Sequence, residues 1–164
     1  MTAAPPARRY LFVCTGNVCR SPAAESLLQD GARRRGLALE ARSRGTAAEL
    51  HYRMPDATRR ALSARGVSCD GHVARLVDAP SMAWADAVLV MTRAHREQLL
   101  EKFPQFSAKI FLLMEHCGLG GGDVADPMGR PDAAHQAAVM RLETAVAVLL
   151  DRAENAKKTI DAKK

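Results

Sequence analysis

Residues 10–28 constrain the fold more than any other stretch of the chain. They run from the apolar segment Tyr10-Leu11-Phe12-Val13, through Cys14-Thr15-Gly16-Asn17-Val18-Cys19-Arg20-Ser21, into Pro22-Ala23-Ala24-Glu25-Ser26-Leu27-Leu28. Apolar residues without alternation suit a strand buried on both faces, and a Pro followed by good helix formers suits the first turn of a helix. A strand, a short loop and a helix in that order open an α/β domain. The loop carries no acidic residue, Gly16 permits close backbone approach, and Asn17 tolerates the left-handed conformation that turns successive amides inward. Ser21 is expected to cap the helix. With Arg20 and a helix N-terminus beside it, the segment predicts an anion cradle with a thiol nucleophile, Cys14, at its base.

The pattern Cys-x5-Arg recurs at Cys69 to Arg75. There the next residue is Asp70, whose charge disfavours both a thiolate and a bound phosphate. Leu76-Val77-Asp78-Ala79-Pro80 downstream offers no clear helix start. The second copy is therefore read as chance.

Elsewhere short apolar runs alternate with longer amphipathic ones, the pattern of a mostly parallel sheet. Strands are expected at 9–14, 38–43, 86–91 and 109–113. Helices are expected at 22–35, ended by Gly36; at 54–65, ended by Gly66; at 93–102, ended before Pro104; and at 132–153. Ala133-Ala134, Ala137-Ala138 and Ala145-Val146-Ala147 suit close packing against a sheet. The expectation is an α/β chain: a single-domain, doubly wound sheet of about four parallel strands with helices on both faces. It would span 9–154, between a flexible N-terminus, 1–8, and a basic flexible tail, 155–164. Ligands of open parallel sheets bind beyond the carboxyl ends of the strands, where the Cys14 loop lies. The Gly-rich segment 117–129 is too irregular for regular structure and can reach the same edge.

With 164 residues and 48% hydrophobic content, the chain suits one core. The net charge of +6 is concentrated at its ends. Four Lys and one Asp lie in 155–164, and Arg8 and Arg9 lie near the other terminus, so the body is close to neutral. Without an aromatic-interleaved basic patch, no nucleic-acid partner is expected. Cys14, Cys19, Cys69 and Cys117 show neither metal-site nor disulfide-framework spacing, so reduced thiols, no metal and no cofactor are expected. The apolar run after Arg8-Arg9 is too short for a signal core, and no run reaches membrane-spanning length. The expectation is a soluble, cytoplasmic monomer without a membrane partner.

The residues resemble the low-molecular-weight protein tyrosine phosphatase family over roughly 9–150. The family's opening pattern, an apolar strand followed by Cys-x-Gly-Asn-x-Cys-Arg-Ser-Pro-x-Ala-Glu, matches Leu11 to Glu25. Ser43-Arg44-Gly45-Thr46, Gly71-His72-Val73-Ala74-Arg75, Ala85 to Thr92 and Asp126-Pro127 follow in the family's order. The resemblance implies that Cys14 is the nucleophile and that a phosphorylated protein is the substrate. It makes Arg20 and the amides of Thr15, Gly16, Asn17, Val18 and Cys19 the phosphate binders, with Ser21 donating to the sulfur. Helix N-termini and neighbouring cations favour thiolate over thiol. Asp126 resembles the general acid, which would later activate water against a phosphocysteine. Asp123 is a weaker alternative, and Asp126-Pro127 as a simple turn stays open. Asn17 and His72 resemble a pair that braces the loop. Cys19 resembles a partner for reversible disulfide formation with Cys14, or it is a small buried thiol filling space.

Two departures bear on substrate. Met128 and Gly129 follow Asp126-Pro127 where tyrosine phosphatases of the family carry aromatic residues. Val18 stands where the family's protein arginine phosphatases carry Thr. Tyr52 is placed at the rim of the site or as an ordinary half-buried tyrosine. The expected function is hydrolysis of phosphotyrosine through a phosphocysteine, with phosphoarginine as the alternative. Arsenate reduction and a non-catalytic phosphate-binding module rank below both.

Overall fold

The computed structural model describes residues 6–164, so the start of the expected flexible N-terminus lies outside the described residues. Four strands form one sheet: β1 (Arg9–Cys14), β2 (Glu40–Gly45), β3 (Ala87–Val90) and β4 (Ile110–Leu112). Their order is β2-β1-β3-β4 and every pairing is parallel. The helices are α1 (Arg20–Arg35), α2 (Asp56–Ser63), α3 (Ala79–Trp84), α4 (Arg93–Lys102), α5 (Leu113–His116) and α6 (Asp132–Asp161), with a 3₁₀ turn at Pro104–Lys109.

The unalternating apolar character of β1 follows from its central place. Tyr10, Phe12 and Cys14 join a core shared with Leu27 and Leu28 of α1 and Leu142, Val146 and Leu149 of α6. Leu11 and Val13 point the other way, into a core with Met82 of α3 and Leu99 of α4. Burying one such large side chain contributes about 1.5–3 kcal/mol, so both layers hold the strand. The chain runs from β1 to β2 on one side and crosses to β3 on the other. The topological switch point therefore falls at the end of β1.

Helix ends explain the boundaries. Gly36 adopts a left-handed conformation (φ 61°), and the Leu37 amide donates to Ala32 O, closing α1 in a Schellman arrangement. Leu37 is thereby committed to the cap, and β2 begins at Glu40, two residues later than the expected 38, in register with Arg9. α3, α5 and the 3₁₀ turn were not expected. The stretch read as offering no helix start contains one: Asp78 and Ser81 form a reciprocal capping box, with Pro80 in the first turn. Ser21 is not a cap either. α1 begins at Arg20, Cys19 stands at the N-cap without a side-chain bond, and Ser21 is engaged below the loop. The final helix extends to Asp161 rather than 153, so most of the expected flexible tail is helical; Lys157 Nζ donates to Gly36 O from this extension.

Candidate active site

The loop between β1 and α1 is shaped by its own backbone and by two neighbouring segments. Asn17 has a φ of 56°, the one positive φ of a non-glycine residue among the described residues. Such a residue turns neighbouring amides toward one centre. The Thr46 amide donates to Cys14 O and the Ala47 amide to Thr15 O, each at 2.9 Å. Gly45 lies so close that a Cβ there would meet Thr15 O, Ala48 Cβ and the Asn17 amide nitrogen.

Below the loop lies a buried polar network. Asn17 Nδ2 donates to Ser21 Oγ at 2.8 Å and to Ser43 Oγ at 2.9 Å, and Ser43 Oγ donates to Glu25 Oε2. Ser21 Oγ stands 2.9 Å from Cys14 Sγ. Ser21 Oγ accepts from Asn17 Nδ2, and its own proton has two acceptors within reach, Cys14 Sγ at 2.9 Å and Arg44 O at 3.3 Å, of which the sulfur is the nearer. His72 Nε2 donates to Asn17 O at 2.7 Å, and the Arg75 amide donates to Asn17 Oδ1 at 2.9 Å. These two bonds come from the Cys69–Arg75 copy of the loop pattern. It is no second cradle, for Cys69 is buried with Sγ against Met54 Sδ, but it is not idle sequence: it braces the first loop.

Above the loop is a cavity of about 340 Å³ lined by Cys14, Thr15, Gly16, Val18, Cys19, Arg20, Tyr52, Arg53, Asp126 and Met128. The Arg20 side chain is 4% exposed; Nη1 donates to Val124 O, and Nη2 lies 3.5 Å from Asp126 Oδ2. Its Nε is buried without a partner. A buried, unpaired guanidinium donor at a cavity floor is poised for an oxyanion. Asp126 Oδ1 also accepts from the Met128 amide, so the turn reading and the placement over the cavity hold together. Asp123 is engaged elsewhere, accepting from the Arg93 amide at the start of α4, and does not line the cavity.

Of the residues expected to contact substrate, Asn17 and Ser21 are fully buried and belong to the bracing network instead of the cavity wall. Met128 and Tyr52 are exposed at the rim. Burial pushes the Cys19 thiol up to about 11, so this sulfur is a neutral, poorly nucleophilic neighbour of Cys14. Arg53 at the rim, Ser43 and Glu25 below, Val124 behind Arg20 and His95 beside Thr15 were not singled out from sequence. Of these, Ser43 and Glu25 stood within motifs of the resemblance, Val124 within the Gly-rich segment 117–129 and Arg53 beside Tyr52, whereas His95 is brought in by a contact 80 positions along the chain. No group of three or more His, Cys, Asp or Glu among the described residues is placed to hold a metal ion.

The sequence model of the low molecular weight phosphotyrosine protein phosphatases matches residues 9–162. The chain belongs to that family. It is a phosphatase with the family's all-parallel α/β fold. A protein-arginine-phosphatase of Geobacillus stearothermophilus is 35% identical over 148 residues, covering 88% of this chain and 92% of the relative. The low molecular weight protein-tyrosine-phosphatase PtpA of Staphylococcus epidermidis (strain ATCC 35984) is 30% identical over 118 residues, covering 71% and 75%. The solved structure of the arginine phosphatase YwlE from Geobacillus stearothermophilus superposes with a TM-score of 0.85 at 32% identity, covering 93% of this chain and 96% of that one.

Proposed function

We propose that the chain hydrolyses phosphotyrosine in proteins through a phosphocysteine. Cys14 Sγ attacks phosphorus in line, and the phenolic oxygen leaves with a proton from Asp126. Asp126 then takes a proton from water as that water attacks the phosphocysteine, releasing inorganic phosphate and returning Cys14 to the thiolate. Arg20 and the loop amides hold the equatorial oxygens, on which charge is spread in the loose transition state. The observation that carries this reading is the juxtaposition at the cavity: a sulfur facing the Ser21 hydroxyl at 2.9 Å below, and a guanidinium beside a carboxylate at 3.5 Å above.

The cavity mouth favours an aromatic leaving group. Val18, Tyr52 and Met128 supply apolar surface, and Met is a good edge partner for a ring. Among the described residues Asp126 is the one carboxylate on the wall, and Arg53 is a cation at the rim that repels a guanidinium. Phosphoarginine is the second reading, favoured by the 35% identity to the Geobacillus stearothermophilus protein-arginine-phosphatase. The test is phosphate release from matched phosphotyrosine and phosphoarginine peptides by the intact protein and its Cys14→Ser variant. Cys14-dependent release with preference for phosphotyrosine is expected. Preference for phosphoarginine would replace the first substrate by the second, and turnover that survives Cys14→Ser would remove the phosphocysteine.

A further inference from the structure

Among the described residues, two buried side-chain polar atoms lack a hydrogen-bond partner: Arg20 Nε, which the cavity explains, and Nδ1 of His95. His95 sits in the first turn of α4, its amide bonded to Thr92 Oγ1, and the residue is 4% exposed. Its Nε2 lies 2.8 Å from Thr15 Oγ1, the residue directly after the nucleophile. The contact spans 80 positions of sequence, so it is a tie between α4 and the loop rather than a local turn.

The neutral ring carries one N–H, and its place decides the direction of this bond. On Nδ1 the proton would be a buried donor without an acceptor, a rare arrangement. On Nε2 it meets the Thr15 oxygen. Burial and the positive charge of Arg20 keep the ring neutral, pushing it down to about 4, while Asp123 and Asp126 act weakly in the other direction. The Thr15 hydroxyl then accepts from His95 and retains its own proton, on a side chain that is exposed at the cavity wall. The backbone of Thr15 is fixed from the opposite side by the Ala47 amide.

We propose that His95 is a positioning residue for the phosphate cradle: its Nε2–H holds the Thr15 side chain, fixing the first turn of the loop and committing the Thr15 hydroxyl proton to the cavity. It complements His72, which holds Asn17 from the β2 side of the loop. The proposal rests on the Cys14 loop being the phosphate site.

The test is calorimetric titration with inorganic phosphate of the unsubstituted protein and of His95→Ala, His95→Gln, Thr15→Val and the double variant Thr15→Val/His95→Ala. Loss of one hydrogen bond at the cradle corresponds to roughly three- to tenfold weaker binding. His95→Ala and Thr15→Val should each weaken phosphate by that factor, and the double variant should bind no worse than either. His95→Gln, whose amide can donate from nearly the same place, should recover most of the loss. Unchanged affinity in His95→Ala, effects that multiply in the double variant, or no rescue by Gln would overturn the proposal. Nitrogen NMR of the unsubstituted protein at neutral pH decides independently of any folding defect: the Nε2–H tautomer supports it and the Nδ1–H tautomer overturns it. Peptide turnover surviving in Cys14→Ser would strike the phosphocysteine reading alone and leave this titration to judge His95.

Discussion

At the scale of single residues, the site is defined by where the protons can go. Asn17 spends both amide protons on Ser21 and Ser43, and Ser43 spends its proton on Glu25, so Ser21 keeps a proton for Cys14 Sγ at 2.9 Å, with Arg44 O as the more distant acceptor at 3.3 Å. Replacing Ser21 by Ala removes that donor from a buried sulfur. The phosphocysteine-forming step should slow by one to two orders of magnitude, which burst kinetics with a good leaving group would register; an unaltered burst would count against the assigned role. Asp126→Asn keeps the turn-closing oxygen that accepts from Met128 but cannot supply a proton. Its turnover should fall by about 10²–10⁴ on phosphotyrosine, and by much less on an activated aryl phosphate whose leaving group needs no proton. Equal losses on both substrates would show that the change acts through structure instead.

At the scale of elements, the end of β2 and the loop after it set the cradle. Gly45 has ordinary backbone angles, yet a Cβ there would run into the Thr15 carbonyl and press on the Asn17 amide. Those are backbone atoms and cannot swing aside. Gly45→Ala should therefore displace the loop, costing about 1–3 kcal/mol of stability and weakening phosphate binding together, readable from denaturant unfolding and a phosphate titration. The C-terminal extension of α6 makes the opposite prediction. It touches the rest of the fold through contacts such as Lys157 to Gly36 O at an exposed position. Removing residues 155–164 should shift stability by about 1 kcal/mol or less and leave peptide turnover unaltered. A large loss of activity would show that this helix end reaches the site.

At the scale of the whole molecule, His95 links stability to pH. Its folded-state value is depressed from the ordinary 6.5 to about 4, by burial first and Arg20 second. Between those values the unfolded chain binds the extra proton and the folded one does not, so stability rises with pH there. The contribution is fully present above about 6.5 and is lost as pH falls toward 4. Thermal unfolding followed across that window should show a steeper fall for the intact protein than for His95→Gln, which cannot titrate; parallel curves would argue against a neutral buried His95. The sequence alone determined a Cys14–Ser21 loop between strand and helix, the parallel α/β class, and the positions of β1, α1 and α4 to within two residues, because each is written in neighbouring residues: an apolar run, a loop without acids, a helix ended before Pro104. Tertiary structure decided the rest. Whether Ser21 caps a helix or serves a sulfur depends on Asn17, Ser43 and Glu25 meeting beneath the loop. As a second Cys-x5-Arg pattern the Cys69–Arg75 segment looked accidental; the resemblance marked only His72 in it as a brace, and the fold adds the Arg75 amide, the two bonding Asn17 from 55 and 58 positions away. The Asp126-Pro127 pair ranked Asp126 above Asp123 by resemblance alone, and the fold supplies the physical difference, turning one to the α4 amide and the other to Arg20. Local propensity is carried by adjacent side chains, whereas the direction of a hydrogen bond is set by whichever partner the folded chain brings within reach.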